Sequence, residues 1–137
     1  MKILVPTDGS EHSMMAVMSS LALAEKEKAD VTLMSVALYV EGSFDEMPMD
    51  IQQKLEAHAQ AALDKAKALF DEKRIPVATV LEVGVVPANN ILRKAEEDRF
   101  DQIIMGSSGE GGLKKFLIGS TAAKVVAHAP CCVTVMR

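Results

Sequence analysis

The chain has 137 residues, 49% apolar and 25% charged, with a formal charge of −4 and an isoelectric point near 5.4. That balance suits one globular domain over residues 1–137, able to bury about two thirds of its unfolded surface without a disulfide or a structural metal. It excludes a disordered chain, and the absence of a basic stripe argues against a nucleic-acid partner.

In chain order, Lys2–Pro6 is a short apolar run that reads as a first strand. It is too short to be the core of a signal peptide, and no small-residue cleavage site follows. Thr7-Asp8-Gly9-Ser10 supplies turn chemistry, and Met14, Val17, Met18, Leu21 and Ala24 then recur at helical spacing. Val31–Ala37 is a second strand. Leu38–Asp50, with Gly42, Pro48 and several acids, reads as a surface flap. From Ile51 the helical period returns, with Leu55, Ala59, Ala62, Ala66, Leu69 and Phe70 on one face. Val77–Val83 predicts a third strand ended by Gly84. Pro87 suits the first turn of a helix carrying Ile91, Leu92 and Ala95. Asp101–Met105 is a fourth strand, a glycine-rich loop spans Gly106–Ile118, and Gly119-Ser120-Thr121 opens a helix through His128. Pro130 stops it, and Cys132–Met136 is the fifth strand.

Such alternation predicts an α/β fold, an open parallel sheet with helices on both faces. The strands are apolar and β-branched, as a doubly covered sheet requires. Ligands of such folds sit at the carboxyl ends of the strands, where the strand order reverses. The two unusual loops, Thr7–Ser10 and Gly106–Ile118, both follow strands and so fall on that edge. No apolar run reaches 18 residues, so no membrane span is expected.

The glycine-rich loop is the most informative stretch. Its glycines allow close backbone approach, successive amides can form an anion nest, and a helix start after Gly119 adds unpaired N–H groups. Ser107, Ser120 and Thr121 add hydroxyls. The same stretch also reads as a plain glycine loop with Ser120 as helix cap, and the loop by itself does not choose between the two. Standard phosphate motifs fail: no Gly-Lys pair exists for a Walker A loop, and Lys114 stands where a dinucleotide fingerprint needs its third glycine. A nucleophile elbow fails as well, because Glu110 takes the place of its last glycine.

The spacing that does fit is Gly106-x2-Gly109-x9-Gly119-Ser120. With the opening Ile3-Leu4-Val5-Pro6-Thr7-Asp8-Gly9-Ser10 and the ending Gly119–Cys131, it resembles the universal stress protein family in its ATP-binding branch. The resemblance spans the whole chain. It implies a five-stranded sheet of order 3-2-1-4-5. It also implies that Asp8 lies near the phosphates and a Mg²⁺ ion, with Pro6 and Thr7 along the adenosine. Ala37 would offer its backbone to adenine, and Met105 and Gly106 would border the ribose. Gly109, Gly119, Ser120 and Thr121 would surround the phosphates of ATP or AMP. Val133–Met136 would form a homodimer seam. Glu110 stands where relatives often carry a basic residue, which leaves open which adenine nucleotide is preferred; Cys132 replaces a common proline.

Asp8 is independently a suitable hard ligand for Mg²⁺, or else a cap of the first helix. His12 lies near the proposed phosphate loop and could touch a ligand. His58 reads as solvated, and His128 as a helix-end cation. Most methionines fall at core spacing. The adjacent Cys131 and Cys132 form neither a disulfide framework nor a zinc site, and they suit a reducing, cytoplasmic setting. The expected function is a non-enzymatic, nucleotide-gated stress regulator. The alternatives are a slow ATPase or nucleotidyl transferase on the same fold, and a structural dimer without nucleotide.

Overall fold

The computed structural model describes residues 1–40, 49–108 and 118–137. Strands and helices alternate along them: β1 (Lys2–Pro6), α1 (Glu11–Glu27), β2 (Asp30–Leu38), α2 (Met49–Glu72), β3 (Ala78–Gly84), α3 (Pro87–Glu97), β4 (Gln102–Gly106), α4 (Ser120–His128) and β5 (Cys132–Met136). The strands form one parallel sheet of order β3-β2-β1-β4-β5, as expected. The chain builds outward from β1 to β3, then returns to place β4 on the other side of β1. That reversal leaves a crevice above β1 and β4.

Each face of the sheet has its own core. On one, Ala16, Val17 and Ala24 of α1 and Leu63, Ala66 and Phe70 of α2 pack on Ile3, Val5, Val31, Leu33 and Ile104. On the other, Ala88, Ile91 and Ala95 of α3 and Ala122 and Val125 of α4 pack on Leu4, Met34, Ile103 and Met105. Period-2 alternation sends odd and even residues of β1 to opposite faces, and both sets are apolar because helices cover both. Burying the Val, Leu, Ile, Met and Phe side chains among them contributes about 1.5–3 kcal/mol each.

Three expectations change. The strands extend or shift by about one residue, because a ladder continues while its neighbour does: Leu38 pairs with Gly84, and the Tyr39 amide donates to the Gly84 carbonyl at 2.9 Å. The buried line of α1 is Ser13, Ala16, Val17, Ser20 and Ala24, whereas Met18 is 61% exposed and Met15 is also exposed. Buried serines are tolerated there because their hydroxyls bond locally; Ser20 donates to the Val17 carbonyl at 2.7 Å. The expectation that most methionines are core residues therefore fails on α1. The expected flap falls partly in β2 and α2, and residues 41–48 lie outside the described residues.

Among the described residues, no helix is long and apolar enough to cross a membrane.

Candidate functional site

A cleft of about 410 Å³ opens at the strand reversal. Its polar side is built by Thr7, Asp8, Ser13, Ser107, Ser108, Ser120 and Thr121. Its apolar side comes from Met34, Val36, Pro87, Ile91 and Met105. Pro6, Gly106, Gly119 and Ala122 complete the lining. Nine of the residues expected from sequence thus converge here: Pro6, Thr7, Asp8, Met105, Gly106, Ser107, Gly119, Ser120 and Thr121. Ala37 does not line the cleft. It is buried on β2, which presents Met34 and Val36 instead. Gly109, Glu110 and the Lys114-Lys115 pair lie outside the described residues.

The loop after β1 is fixed by its own short polar side chains. Gly9 takes φ +82°, a left-handed turn that favours glycine. Asp8 Oδ1 accepts the Ser10 amide at 3.0 Å, and Ser10 caps α1 by accepting the Ser13 amide at 3.4 Å. The helix cap is therefore Ser10 and not Asp8. Ser13 gives its single hydroxyl proton to the Ser10 carbonyl at 3.0 Å. The 2.9 Å contact between Thr7 Oγ1 and Ser13 Oγ is then donated by Thr7, which also accepts the Gly9 amide at 3.2 Å. The donors of Thr7 and Ser13 are spent within the protein.

On the opposite wall, the Ser107 amide donates to the Met136 carbonyl at 2.7 Å, and the Gly119 amide donates to the Ser107 carbonyl at 2.6 Å. These two amides are not available as an anion nest. Gly119 takes the N-cap position of α4 with extended backbone, and its carbonyl accepts the Ala123 amide at 2.9 Å. Ser120 is thus the first helical residue and not the cap. The amides of Ser120, Thr121 and Ala122 have no acceptor within the helix and form its positive end. Ser108 is 8% exposed, and its Oγ lies 2.8 Å from Nδ1 of His12 on α1. His12 itself does not line the cleft.

The apolar wall is held from behind. Glu82 of β3 accepts hydrogen bonds from Asn90 Nδ2 at 2.9 Å and from Arg93 of α3, and Arg93 also pairs with Glu97. Gly84 leaves the space that Asn90 occupies. This clamp docks α3, and with it Pro87 and Ile91, on the edge strand.

Sequence reasoning missed Ser13, Met34, Val36, Pro87, Ile91, Ser108 and Ala122. Ser108 sits inside the glycine motif and Ser13 three residues after the helix cap, so both carried a local signal. Met34 and Val36 required knowing which parity of β2 faces α3. No group of three or more His, Cys, Asp or Glu side chains among the described residues is placed to hold a metal. A cation held by Asp8 would therefore need further oxygens from a ligand and water, the way Mg²⁺ is usually bound.

The fold and cleft define a doubly wound, open-sheet α/β protein with its site at the strand reversal. The model of the universal stress protein family matches residues 1–137, and the chain belongs to that family. It is 35% identical to universal stress protein MJ0531 of Methanocaldococcus jannaschii, over 99% of this chain and 81% of the relative. The universal stress protein UspA from Lactobacillus plantarum has a similar structure, with TM-score 0.87 and 28% identity over 99% of this chain and 97% of that one. A universal stress protein from Archaeoglobus fulgidus in complex with dAMP is similar in fold, with TM-score 0.74 and 21% identity over 100% of this chain and 98% of that one. Two further solved relatives share the fold. One is a complex with cAMP (TM-score 0.74, 22% identity, 99% of this chain and 96% of that one). The other is an Arabidopsis thaliana protein with AMP bound (TM-score 0.73, 18% identity, 98% of this chain and 90% of that one).

Proposed function

We propose that this chain binds an adenine nucleotide in the cleft above β1 and β4, and that it acts as a cytoplasmic stress-response regulator and not as an enzyme. The observation that carries the reading is the two-sided cleft. A slot lined by Met34, Val36, Pro87, Ile91 and Met105 suits a flat base. Facing hydroxyls and the positive end of α4 suit phosphate. The AMP, dAMP and cAMP complexes of relatives with this fold support the ligand class.

ATP with Mg²⁺ is the preferred ligand under this proposal. Ser120, Thr121 and the first amides of α4 would hold phosphate oxygens, and Asp8 would share the cation with them. Bound Mg²⁺ would supply charge neutralisation of the phosphates. Regulation in place of turnover is favoured by the lining: among its described residues Asp8 is the charged side chain, and the rest are hydroxyls, small residues and apolar groups. A homodimer through Val133–Met136 is part of the proposal, because β5 is an edge strand and these four residues are half-buried in the single chain.

Thermal denaturation with AMP, dAMP, cAMP and ATP, with and without Mg²⁺, tests the reading. A ligand at a hundred times its Kd should raise Tm by on the order of 5–10 °C. No shift with any of the four at millimolar concentration would refute it.

A further inference from the structure

Among the described cleft hydroxyls, Ser108 differs from Thr7 and Ser13 in what controls its proton. Thr7 and Ser13 donate to fixed protein oxygens. Ser108 Oγ instead meets an imidazole nitrogen, His12 Nδ1, at 2.8 Å across 96 residues of sequence. An imidazole nitrogen accepts a proton when bare and donates one when protonated.

We propose that His12 is a positioning residue for the cleft: it sets the direction of the Ser108 hydroxyl and thereby couples uptake of a proton to binding of an anionic nucleotide. The inference rests on the nucleotide reading above. In the neutral tautomer protonated at Nε2, Nδ1 is bare, Ser108 donates to it, and the hydroxyl turns oxygen lone pairs toward the cleft, which repel phosphate. When the imidazole takes a proton from solvent, Nδ1–H donates to Ser108 Oγ. The serine proton is then released toward the cleft, where it meets a phosphate oxygen.

The geometry makes the coupling local. His12 is the second residue of α1, and Gly106, two residues before Ser108, packs against its backbone. The helix start and the exit of β4 therefore cannot slide past each other. A cation in the first turn of α1 opposes the helix dipole, so a bound anion nearby offsets an unfavourable charge. Among the described residues, the charged neighbours in sequence are Glu11, which precedes His12 on α1, and Asp8 on the preceding loop. Lys65 of α2 donates to the Gly9 carbonyl at 3.2 Å, and Arg137 follows the Met136 that accepts the Ser107 amide. Imidazole is the side chain that ordinarily changes charge between about pH 5 and 8.

The test is the Kd of AMP and of ATP by calorimetry from pH 6 to pH 8, in the full chain, for the wild type, His12→Gln and Ser108→Ala. Glutamine cannot titrate, so its profile carries the ionisation of the nucleotide itself. The wild type should tighten between pH 8 and pH 6 by about threefold to tenfold more than His12→Gln. Ser108→Ala keeps the imidazole but lacks the hydroxyl, and should lose most of that excess. Parallel profiles for wild type and His12→Gln would overturn the proposal. So would a Ser108→Ala variant that keeps the whole excess. Absence of binding by the wild type at every pH would instead refute the nucleotide reading, and this inference with it.

Discussion

Gly106 at the end of β4 and His12 in the first turn of α1 are interlocked. A Cβ on residue 106 would lie 2.7 Å from the His12 carbonyl carbon and 2.9 Å from its Cβ, and 2.7 Å from the Ser13 nitrogen. Two of those atoms are backbone and cannot swing aside. Gly106→Ala should therefore push α1 from the sheet and cost about 1–3 kcal/mol. Urea denaturation measures it, and an unchanged midpoint would show that the corner is looser than its geometry.

Thr7 is 5% exposed and joins three parts of the first loop, accepting the Gly9 amide and donating to Ser13. Thr7→Val keeps the shape but removes both bonds, leaving the Gly9 amide short of a partner. The expected loss is about 1–2 kcal/mol, with Thr7→Ser near the wild type. Equal stability of the valine and serine variants in denaturant would contradict this.

The clamp behind α3 predicts a pH signature. Burial pushes the Glu82 carboxyl up, but hydrogen bonds from Arg93 and Asn90 and the charges of Arg93 and Lys94 outweigh it, so the group lies below its ordinary value. A carboxylate depressed by folding stabilises the protein above the unfolded pKa of about 4.3, and that stability is lost as pH falls through the folded value. Arg93 is 44% exposed, so water screens the pair to about 0.5–1 kcal/mol. Glu82→Gln should be less stable than the wild type by that amount at pH 7, and the two should converge below about pH 4. A gap that widens in acid would be the wrong sign.

The vicinal cysteines should react unequally. Cys132 is exposed at the start of β5, whereas Cys131 is half-buried beside the second core. Burial, then the charges of Cys132 and Asp101, push the Cys131 thiol up and lower its thiolate fraction. A brief pulse of iodoacetamide at pH 8, read by tandem mass spectrometry, should label Cys132 several-fold faster. Equal labelling would count against the burial of Cys131.

Local pattern alone was enough for the alternation of strands and helices. The apolar runs and the 3.6-residue spacing of Ala59, Ala62, Ala66 and Phe70 depend on neighbours within a turn or two of sequence. The turn after β1 and the start of α4 were legible for the same reason, since glycine and short hydroxyl side chains announce turns and helix starts where they stand. The family resemblance added the sheet order, which no local spacing contains. Tertiary structure decided what depends on partners far along the chain. It chose the parity of β2 that turns Met34 and Val36 into the cleft and Ala37 away. It spent the Ser107 and Gly119 amides on carbonyls, whereas the first-turn amides of α4 have no acceptor within the helix. It also brought His12 to Ser108. A hydrogen bond between residues 96 positions apart leaves no trace in sequence spacing, because only the closing of β1 against β4 puts the two groups within reach.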